Sequence, residues 1–321
     1  MIVTVTINPL LERRYTFREV NYPGTSRDGI VALKAGGKGI NVSRQLNQLN
    51  TPNLSFTFLG GTNGRLFREI LKEEKIGFTS VKTSSETREG IVVIDEKNEK
   101  VISFFGSNPD LTTNEVDEFR VKLDKIIQNC EIVVFSGSSP CKNTDSIFPF
   151  GIELANKYDK ISVCDTYGRH LIDCIKAGPT ILHNNVDELQ DSLGINLESE
   201  EKRIRLLDNL YSDGIKQSYI TDAEKIFYAA NFDFHFRVSP PSIKTIDSIG
   251  SGDSFVAGIV YAWHNDLTFE EGLKLATSLG TVNASRFDVS SGILRDTDDI
   301  IPDVTVTALG KKMKTLDVTP R

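Results

Sequence analysis

The segment Gly250-Ser251-Gly252-Asp253 places one carboxylate directly after three small residues. Residues 256–263 are almost wholly apolar and long enough for a buried helix. Small residues at the start of a helix leave backbone N–H groups free to point at an anion. In the first helical turn, Asp253 would either act on a neutral group beside that anion or cap the helix. The spacing alone is compatible with both roles.

A second glycine cluster, Gly36-Gly37-Lys38-Gly39, lies near the other end of the chain. It is not a Walker A loop, because Gly39 follows the lysine where Ser or Thr would be required. The glycines let the backbone approach a ligand closely, and Lys38 supplies a point charge with Asn41 one helical turn further on. A flexible connection between a strand and a helix would have the same composition.

The elements that position these clusters alternate between short apolar runs and helical patterns, which predicts a parallel sheet with crossover helices. The predicted strands are 2–7, 54–59, 132–136, 161–164, 180–182 and 218–221. The predicted helices include 40–49, 66–74, 113–127 and 187–193. A capping box formed by Thr268 and Glu271 predicts another helix that continues through Asn283.

Two stretches, 15–34 and 88–105, interrupt this alternation. Both contain segments with a period of two, and neither is joined to a crossover helix as a parallel strand requires. We therefore expect a small separate β-sheet, although strands that widen the central sheet would produce the same pattern.

The bulk composition excludes several classes of function. The chain has 321 residues and a net charge of −7, which argues against a nucleic-acid-binding surface. An anionic ligand must therefore be held by a few local cations and backbone amides. The four cysteines lack metal-ligand spacing and are expected to be reduced. Neither a signal peptide nor a membrane span is recognised, so we expect a cytoplasmic protein with no membrane partner.

Seven segments, taken in order, resemble the ribokinase (PfkB-type) family of carbohydrate kinases. They are 4–9, 26–27, 36–42, 86–88, 136–140, 185–189 and 250–253. The chain is most similar to the hexose-phosphate branch of 1-phosphofructokinases and tagatose-6-phosphate kinases. The resemblance implies an α/β fold, a three-layer α/β/α sandwich with a mainly parallel central sheet and a small β-sheet lid. It also implies a single kinase domain over 1–321, with the lid formed by 12–34 and 88–106.

The same resemblance implies a role for each candidate residue. Asp253 would be the base, and the amides of Gly250, Ser251 and Gly252 would stabilise the charge on the transferring phosphoryl group. The co-substrate ATP would be bound by four residues, Asn185, Thr221, Gly252 and Asn283. Its Mg²⁺ would be bound by Asn185 and Glu188. The phosphorylated hexose would be bound by Glu12, Arg27, Gly37, Lys38, Asn41, Arg88 and Ser138. A homodimer formed through the lid is also implied.

The chain departs from the family pattern at four places, namely Glu12, Cys141, His183 and the loop 221–225. The family usually has Asp, Gly, Lys and a glycine-containing loop there. The resemblance implies a 1-phosphofructokinase, with a tagatose-6-phosphate kinase as the near alternative. A weakly active sugar-phosphate sensor, or a kinase of an unphosphorylated sugar or nucleoside, stays open.

Overall fold

The computed structural model of the protein describes residues 1–311. The strands in this part of the chain are β1 (Ile2–Thr6), β2 (Leu10–Phe17), β3 (Ile30–Gly36), β4 (Asn53–Gly60), β5 (Phe78–Thr83), β6 (Arg88–Asp95), β7 (Lys100–Phe105), β8 (Ile132–Ser136), β9 (Ile161–Asp165), β10 (Ile181–Asn185), β11 (Gln217–Thr221), β12 (Phe227–Asn231), β13 (Phe234–Ser239) and β14 (Thr305–Lys311).

The α-helices of the same residues are α1 (Lys38–Gln48), α2 (Gly61–Glu73), α3 (Thr113–Gln128), α4 (Ile147–Lys157), α5 (Leu171–Lys176), α6 (Val186–Leu193), α7 (Glu200–Ser212), α8 (Ser251–His264), α9 (Phe269–Ala284) and α10 (Leu294–Thr297). Short 3₁₀ helices lie at Lys142–Thr144 and Ile301–Asp303.

The large sheet has the strand order β14-β13-β12-β11-β10-β9-β8-β1-β4-β5. The strands from β11 to β5 are all parallel, and each of the six predicted strands lies among them. Consecutive parallel strands are joined by helices because a parallel connection must return to the same end of the sheet. The predicted mainly parallel sheet is confirmed.

The sheet is covered on both faces, so the fold has three layers. Alternate residues of β1 point to opposite sides: Val3 and Val5 pack into one hydrophobic core, and Ile2 packs into another. The first core contains α3 to α7, and the second contains α1, α8 and α9. The predicted capping box is also present, since Thr268 accepts the amide of Glu271 at the start of α9.

Strands β12, β13 and β14 extend the large sheet as antiparallel neighbours. Neither these strands nor β5 were predicted from the sequence. A parallel strand is indicated by the helix that connects it to the next one, and the β11–β12 and β12–β13 connections are short turns without a helix.

A second sheet has the order β3-β2-β6-β7, in which β2 and β6 are parallel and both outer pairs are antiparallel. The predicted small sheet is therefore confirmed, and the alternative that these strands widen the central sheet is wrong. Among residues 1–311, no helix combines the length and apolar character needed to cross a bilayer.

Candidate active site

The candidate residues lie at the carboxyl-terminal edge of the large sheet. Parallel strands bring their carboxyl ends to one edge, where ligands bind in open α/β sheets. Asn8 follows β1, Ser138 follows β8, Asp165 ends β9, Asn185 ends β10 and Thr221 ends β11. These residues are far apart in the chain, and the register of the sheet places them at the same edge.

Helix α8 begins at this edge with Gly250 as its N-cap in the left-handed region, at φ 81°. The Ser251 N–H donates to the carbonyl of Ser248 at 3.1 Å. Within residues 1–311, the N–H groups of Gly250, Gly252 and Asp253 have no protein acceptor. Two of the three predicted amides are therefore free to bind an anion, while that of Ser251 is engaged in a turn.

Asn283 of α9 holds this loop in place. Its amide nitrogen donates to the carbonyl of Ile249 at 2.8 Å and to Oγ of Ser251 at 3.1 Å. Its oxygen accepts the N–H of Ser290 at 2.7 Å. Asn283 is buried, so in this structure it supports the N-terminus of α8 through its side chain.

The carboxylate of Asp253 is buried, with a relative exposure of only 4%. Asn41 Nδ2 donates to its Oδ2 at 2.7 Å, which joins the two glycine clusters of the sequence. Burial raises the pKa of Asp253 to about 7, and Lys38 and the Asn41 hydrogen bond oppose that shift. Such a carboxylate is a stronger base than an ordinary aspartate, and near neutral pH it exists in both protonation states.

Lys38 lies between two carboxylates. Its Nζ is 2.6 Å from Oε1 of Glu188 and 3.2 Å from Oδ1 of Asp165. Burial disfavours the charged lysine, but Asp165 and Glu188 outweigh burial and raise the pKa of Lys38 above its ordinary value. Lys38 is thus a permanent cation that is already paired in this structure, and it is not a free phosphate clamp.

His183 connects Asp165 to the nucleotide-side candidate Thr221. Its Nδ1 lies 3.0 Å from Asp165 Oδ1, and its Nε2 lies 3.2 Å from Thr221 Oγ1. Asp165 also accepts the hydroxyl of Ser136 at 2.6 Å. Burial opposes ionisation of Asp165, but Lys38 and the His183 hydrogen bond hold its pKa below the usual value. The histidine that replaces the family's lysine therefore orients an ionised carboxylate.

Asn185 and Glu188 form a capping box at the start of α6. The Glu188 N–H donates to Asn185 Oδ1 at 2.8 Å, and Glu188 Oε2 accepts the Asn185 N–H at 3.3 Å. Amide and carboxylate oxygens suit Mg²⁺, but both groups already have protein partners and Glu188 is also paired with Lys38. Within residues 1–311, no group of three or more His, Cys, Asp or Glu side chains could hold a metal ion. The oxygens of Asn185 and Glu188 have the chemistry to contact the waters of a Mg²⁺ ion.

Arg88 and Ser138 belong to one polar cluster with two asparagines. Arg88 donates to Asn108 Oδ1 at 3.2 Å and to the carbonyl of Asn8 at 3.3 Å. Asn8 Nδ2 donates to Ser138 Oγ at 3.1 Å. Burial lowers the pKa of Arg88, and its buried Nε has no hydrogen-bond acceptor in the described chain. A desolvated guanidinium with an unused donor suits an anionic group.

Glu12 lies in the small sheet on β2 and points toward Asn41 and Arg44 across a small cavity. Arg14 donates to Glu12 Oε2 at 3.4 Å and lies 3.5 Å from Oδ2 of Asp247, in the loop before α8. Burial raises the pKa of Glu12, and Arg14 and Arg44 oppose the shift.

Two predicted acceptor-binding residues, Arg27 and Gly37, lie on either side of β3. Arg27 is exposed on the segment between β2 and β3. Gly37, by contrast, is the N-cap of α1 at φ 120°, a conformation that favours glycine.

Sequence reasoning missed several side chains of the site. Asp165 directly follows the predicted strand 161–164, which was the only signal available for it. Tyr167 is 37% exposed, and Lys38 Nζ lies 5.1 Å from its ring centroid. Arg14, Arg44 and Asn108 lack any local pattern that distinguishes them from surface residues, so their roles depend on tertiary contacts.

The candidate site residues all lie within the part of the chain that matches one protein family. Residues 6–295 match the family described as pfkB family carbohydrate kinase. A 1-phosphofructokinase of Borreliella burgdorferi is 30% identical over 287 residues, covering 88% of this chain and 92% of that protein. A tagatose-6-phosphate kinase of Staphylococcus epidermidis is 29% identical over 294 residues, with coverage of 88% and 92%.

Solved structures are similar over almost the full chain. A possible 1-phosphofructokinase of Thermotoga maritima superposes with a TM-score of 0.88 at 25% identity, covering 96% of this chain and 99% of that one. The tetrameric inhibited form of Escherichia coli phosphofructokinase-2 has a TM-score of 0.84 at 21% identity, covering 94% and 98%, and supports the fold alone.

Proposed function

Because the chain belongs to the pfkB family of carbohydrate kinases, we propose that it is a 1-phosphofructokinase. It would transfer the γ-phosphoryl group of ATP to fructose 1-phosphate, forming fructose 1,6-bisphosphate and ADP, with Asp253 as the base. Tagatose 6-phosphate is the second candidate acceptor, because a tagatose-6-phosphate kinase is nearly as similar over the same share of the chain.

The observation that supports this proposal most is the meeting of the two glycine clusters at Asp253. Asn41, from the first cluster, donates to Asp253 at 2.7 Å, beside the free amides of Gly250 and Gly252 in the second. A base of raised pKa therefore lies next to a set of anion-binding amides. That arrangement suits the deprotonation of a hydroxyl beside a phosphoryl group.

The transfer balances as one substitution at phosphorus. The acceptor oxygen forms a bond to the γ-phosphorus, the bond from that phosphorus to the ADP oxygen breaks, and the hydroxyl proton passes to Asp253. The loose transition state needs deprotonation only late, so a carboxylate is an adequate base. The amides of Gly250 and Gly252 would stabilise the charge on the transferring group.

Asn185 and Glu188 would hold Mg²⁺ through its waters, and the ion would neutralise phosphate charge on ATP. Thr221 would lie on the nucleotide side of the site. The loop after Thr221 lacks glycine, yet Ala223 adopts φ 47°, and Asp222 is held by Arg203 at 2.7 Å. The turn is therefore formed without glycine.

The phosphate already on the acceptor would bind the cluster of Arg88, Ser138 and Asn108. The unused Nε donor of Arg88 supports this assignment. Glu12 would contact the sugar hydroxyls, with its charge balanced by Arg14. This cluster favours a phosphorylated acceptor over a free sugar or nucleoside.

We test the function by coupled ADP release with fructose 1-phosphate, fructose 6-phosphate, tagatose 6-phosphate and free fructose. The highest kcat/KM is expected with fructose 1-phosphate. A preference for tagatose 6-phosphate would assign the second candidate. Tight binding of a sugar phosphate without turnover of any acceptor would contradict the proposal and indicate a sensor.

The protein is also proposed to form a homodimer through the small sheet. Several large apolar side chains of that sheet are exposed, namely Ile30, Val31, Ile91, Ile102, Phe104 and Phe105. Ile91 and Phe104 are cross-strand partners, so they form a continuous apolar surface. Such surfaces commonly mark contacts between proteins.

A further inference from the structure

Arg44 is a buried arginine of α1 whose guanidinium is held by three acceptors. Its Nε donates to Glu74 Oε2 at 2.9 Å, and one terminal nitrogen donates to the carbonyl of Ala35 at 2.5 Å. The other terminal nitrogen donates to Asn41 Oδ1 at 2.7 Å. Because the guanidinium is planar, these three contacts fix both its position and its orientation.

Arg44 determines which way the Asn41 amide points. A guanidinium can only donate hydrogen bonds, so the Asn41 atom that faces it must be the oxygen. The nitrogen of the same amide must then face Asp253, where it donates to Oδ2. The reverse orientation would place N–H groups against N–H groups at Arg44 and two oxygens together at Asp253.

This orientation makes the two oxygens of Asp253 different. Oδ2 is occupied by the Asn41 donor. Among residues 1–311, no side chain or backbone group donates to Oδ1. Lys38, Asp165 and Glu188 act on Asp253 through their charges, and Lys38 is already bound to the other two. Oδ1 therefore keeps both of its acceptor positions for an incoming proton, whereas Asn41 takes one of those on Oδ2.

We infer that Arg44 is a positioning residue that orients the Asn41 amide, so that Oδ1 of Asp253 accepts the proton of the acceptor hydroxyl. This inference rests on the proposed function of Asp253 as the base. It also gives Asn41 a positioning role besides the predicted binding of the acceptor, because each end of its amide already has one protein partner.

If Arg44 had a purely structural role, its replacement could also lower activity. The contacts to Glu74 and Ala35 join α1 to the end of α2 and to β3, so loss of Arg44 could simply destabilise the fold. The two roles differ in whether the effect depends on Asn41. A double-mutant cycle measures that dependence.

The test compares Asn41→Leu, Arg44→Met and the double variant in steady state with ATP and fructose 1-phosphate. We expect each single variant to lower kcat roughly 10-fold to 100-fold, the range for a misplaced catalytic group. If Arg44 acts through Asn41, the double variant loses no more than about threefold beyond Asn41→Leu. Losses that multiply, or wild-type kcat in Arg44→Met, would overturn the inference.

A second measurement does not need turnover. The carboxyl ¹³C signal of Asp253 is followed through a pH titration of each full-length variant. Removal of the Asn41 donor destabilises the ionised carboxylate, so the apparent pKa should rise in Asn41→Leu and in Arg44→Met, with no further rise in the double variant. An unchanged pKa in Arg44→Met would contradict the inference even if no acceptor were phosphorylated.

Matched controls separate positioning from folding. Arg68→Met removes another partly buried arginine that contacts Leu59 and Ser80, and it should leave kcat unchanged. Arg44→Lys keeps the charge and should recover part of the kcat lost in Arg44→Met. If Asp253→Asn retained wild-type kcat, the proposed base would be wrong, whereas additive effects of Arg44 and Asn41 alone would reject only the inference.

Discussion

At the residue scale, the site depends on one carboxylate that the fold leaves poorly solvated. Asp253 is buried beside other carboxylates, and within the described chain only one side-chain donor, from Asn41, contacts it. Burial therefore raises its pKa, whereas Asp165, with Lys38 and His183 against it, has a lowered pKa. These opposite pKa shifts would suit two aspartates of one site to different tasks, Asp253 as the proposed base and Asp165 as a fixed counter-charge.

Replacement of Asp253 by Asn should reduce kcat by roughly 10²–10⁴ while ATP affinity stays near the wild-type value, because a positioned base is lost. Steady-state kinetics and nucleotide titration measure the two effects. Wild-type kcat in this variant would exclude Asp253 as the base.

The same substitution should stabilise the protein at neutral pH. The pKa of Asp253 rises from an ordinary 3.8 to about 7 in the folded state, so stability falls as pH increases between these values. The neutral amide of the Asp253→Asn variant does not ionise and avoids that loss of stability. Thermal unfolding should show a higher Tm for Asp253→Asn than for the wild-type protein at pH 8, and the same Tm for the two proteins near pH 4. Equal Tm values for the two proteins at both pH values would contradict the raised pKa of Asp253.

The dependence of kcat/KM on pH should report the same group. Asp253 must be ionised to accept a proton, so kcat/KM should fall roughly tenfold per pH unit below about 7. An acidic limb near pH 4 would show that the base is an ordinary carboxylate.

Substitution of Arg88 by Ala should mainly raise KM for the phosphorylated acceptor, because a phosphate contact is shared by the ground and transition states. Arg65→Ala, on the exposed surface of α2, is the matched control. A loss of ATP affinity with unchanged acceptor KM would remove Arg88 from the acceptor site.

At the element scale, the start of α8 has a conformation that only glycine adopts readily. Gly250 has φ 81°, and an added Cβ would overlap the side chain of Val289. The amides of the anion site depend on this turn, and Asn283 holds the turn from α9. Glycine at position 250 is therefore explained by the backbone conformation and the lack of space for a Cβ, as well as by the free amides beside it.

Replacement of Gly250 by Ala should cost about 1–3 kcal/mol in unfolding free energy and lower kcat, since both the strain and the overlap displace the amides. Gly214→Ala is the control: Gly214 also has a positive φ, 98°, but a Cβ there meets nothing within 4 Å. Denaturant unfolding and kcat are measured for both variants. A larger loss of unfolding free energy in Gly250→Ala than in Gly214→Ala would show that the overlap with Val289 adds to the backbone strain.

At the scale of the whole molecule, a net charge of −7 coexists with a proposed site for anionic ligands. Lys38 is neutralised locally by Asp165 and Glu188, so in the proposed site the attraction for phosphate would come from Arg88 and from backbone amides. The small sheet contributes Glu12 and Arg14 to the site and also presents the exposed apolar surface.

Substitution of Phe104 by Glu should convert the proposed homodimer to a monomer, because a charge would be placed within the apolar surface. Phe232→Glu, in the β12–β13 turn, changes a residue of similar exposure elsewhere and should keep the wild-type mass. Light scattering at several concentrations measures both. A monomeric wild-type protein would reject the dimer.

The alternation of apolar runs and helical patterns determined the parallel core of the fold, because strand and helix periods are local properties of the chain. The order of the seven matched segments, which include the two glycine clusters, likewise indicated the family. Strands β12 and β13 were not predicted, since short turns without a helix connect them to the strands before them.

Only the tertiary structure decided which side chains are partners. Lys38 and Arg27 are both cations in the sequence, but their surroundings differ. Lys38 is paired with Asp165 and Glu188, whereas Arg27 is exposed. The amide of Asn41 is oriented by Arg44, three residues away on the same helix, toward Asp253 in a distant one. Residue types determine what chemistry is available, but hydrogen-bond direction and burial depend on contacts between remote segments, which no local pattern encodes.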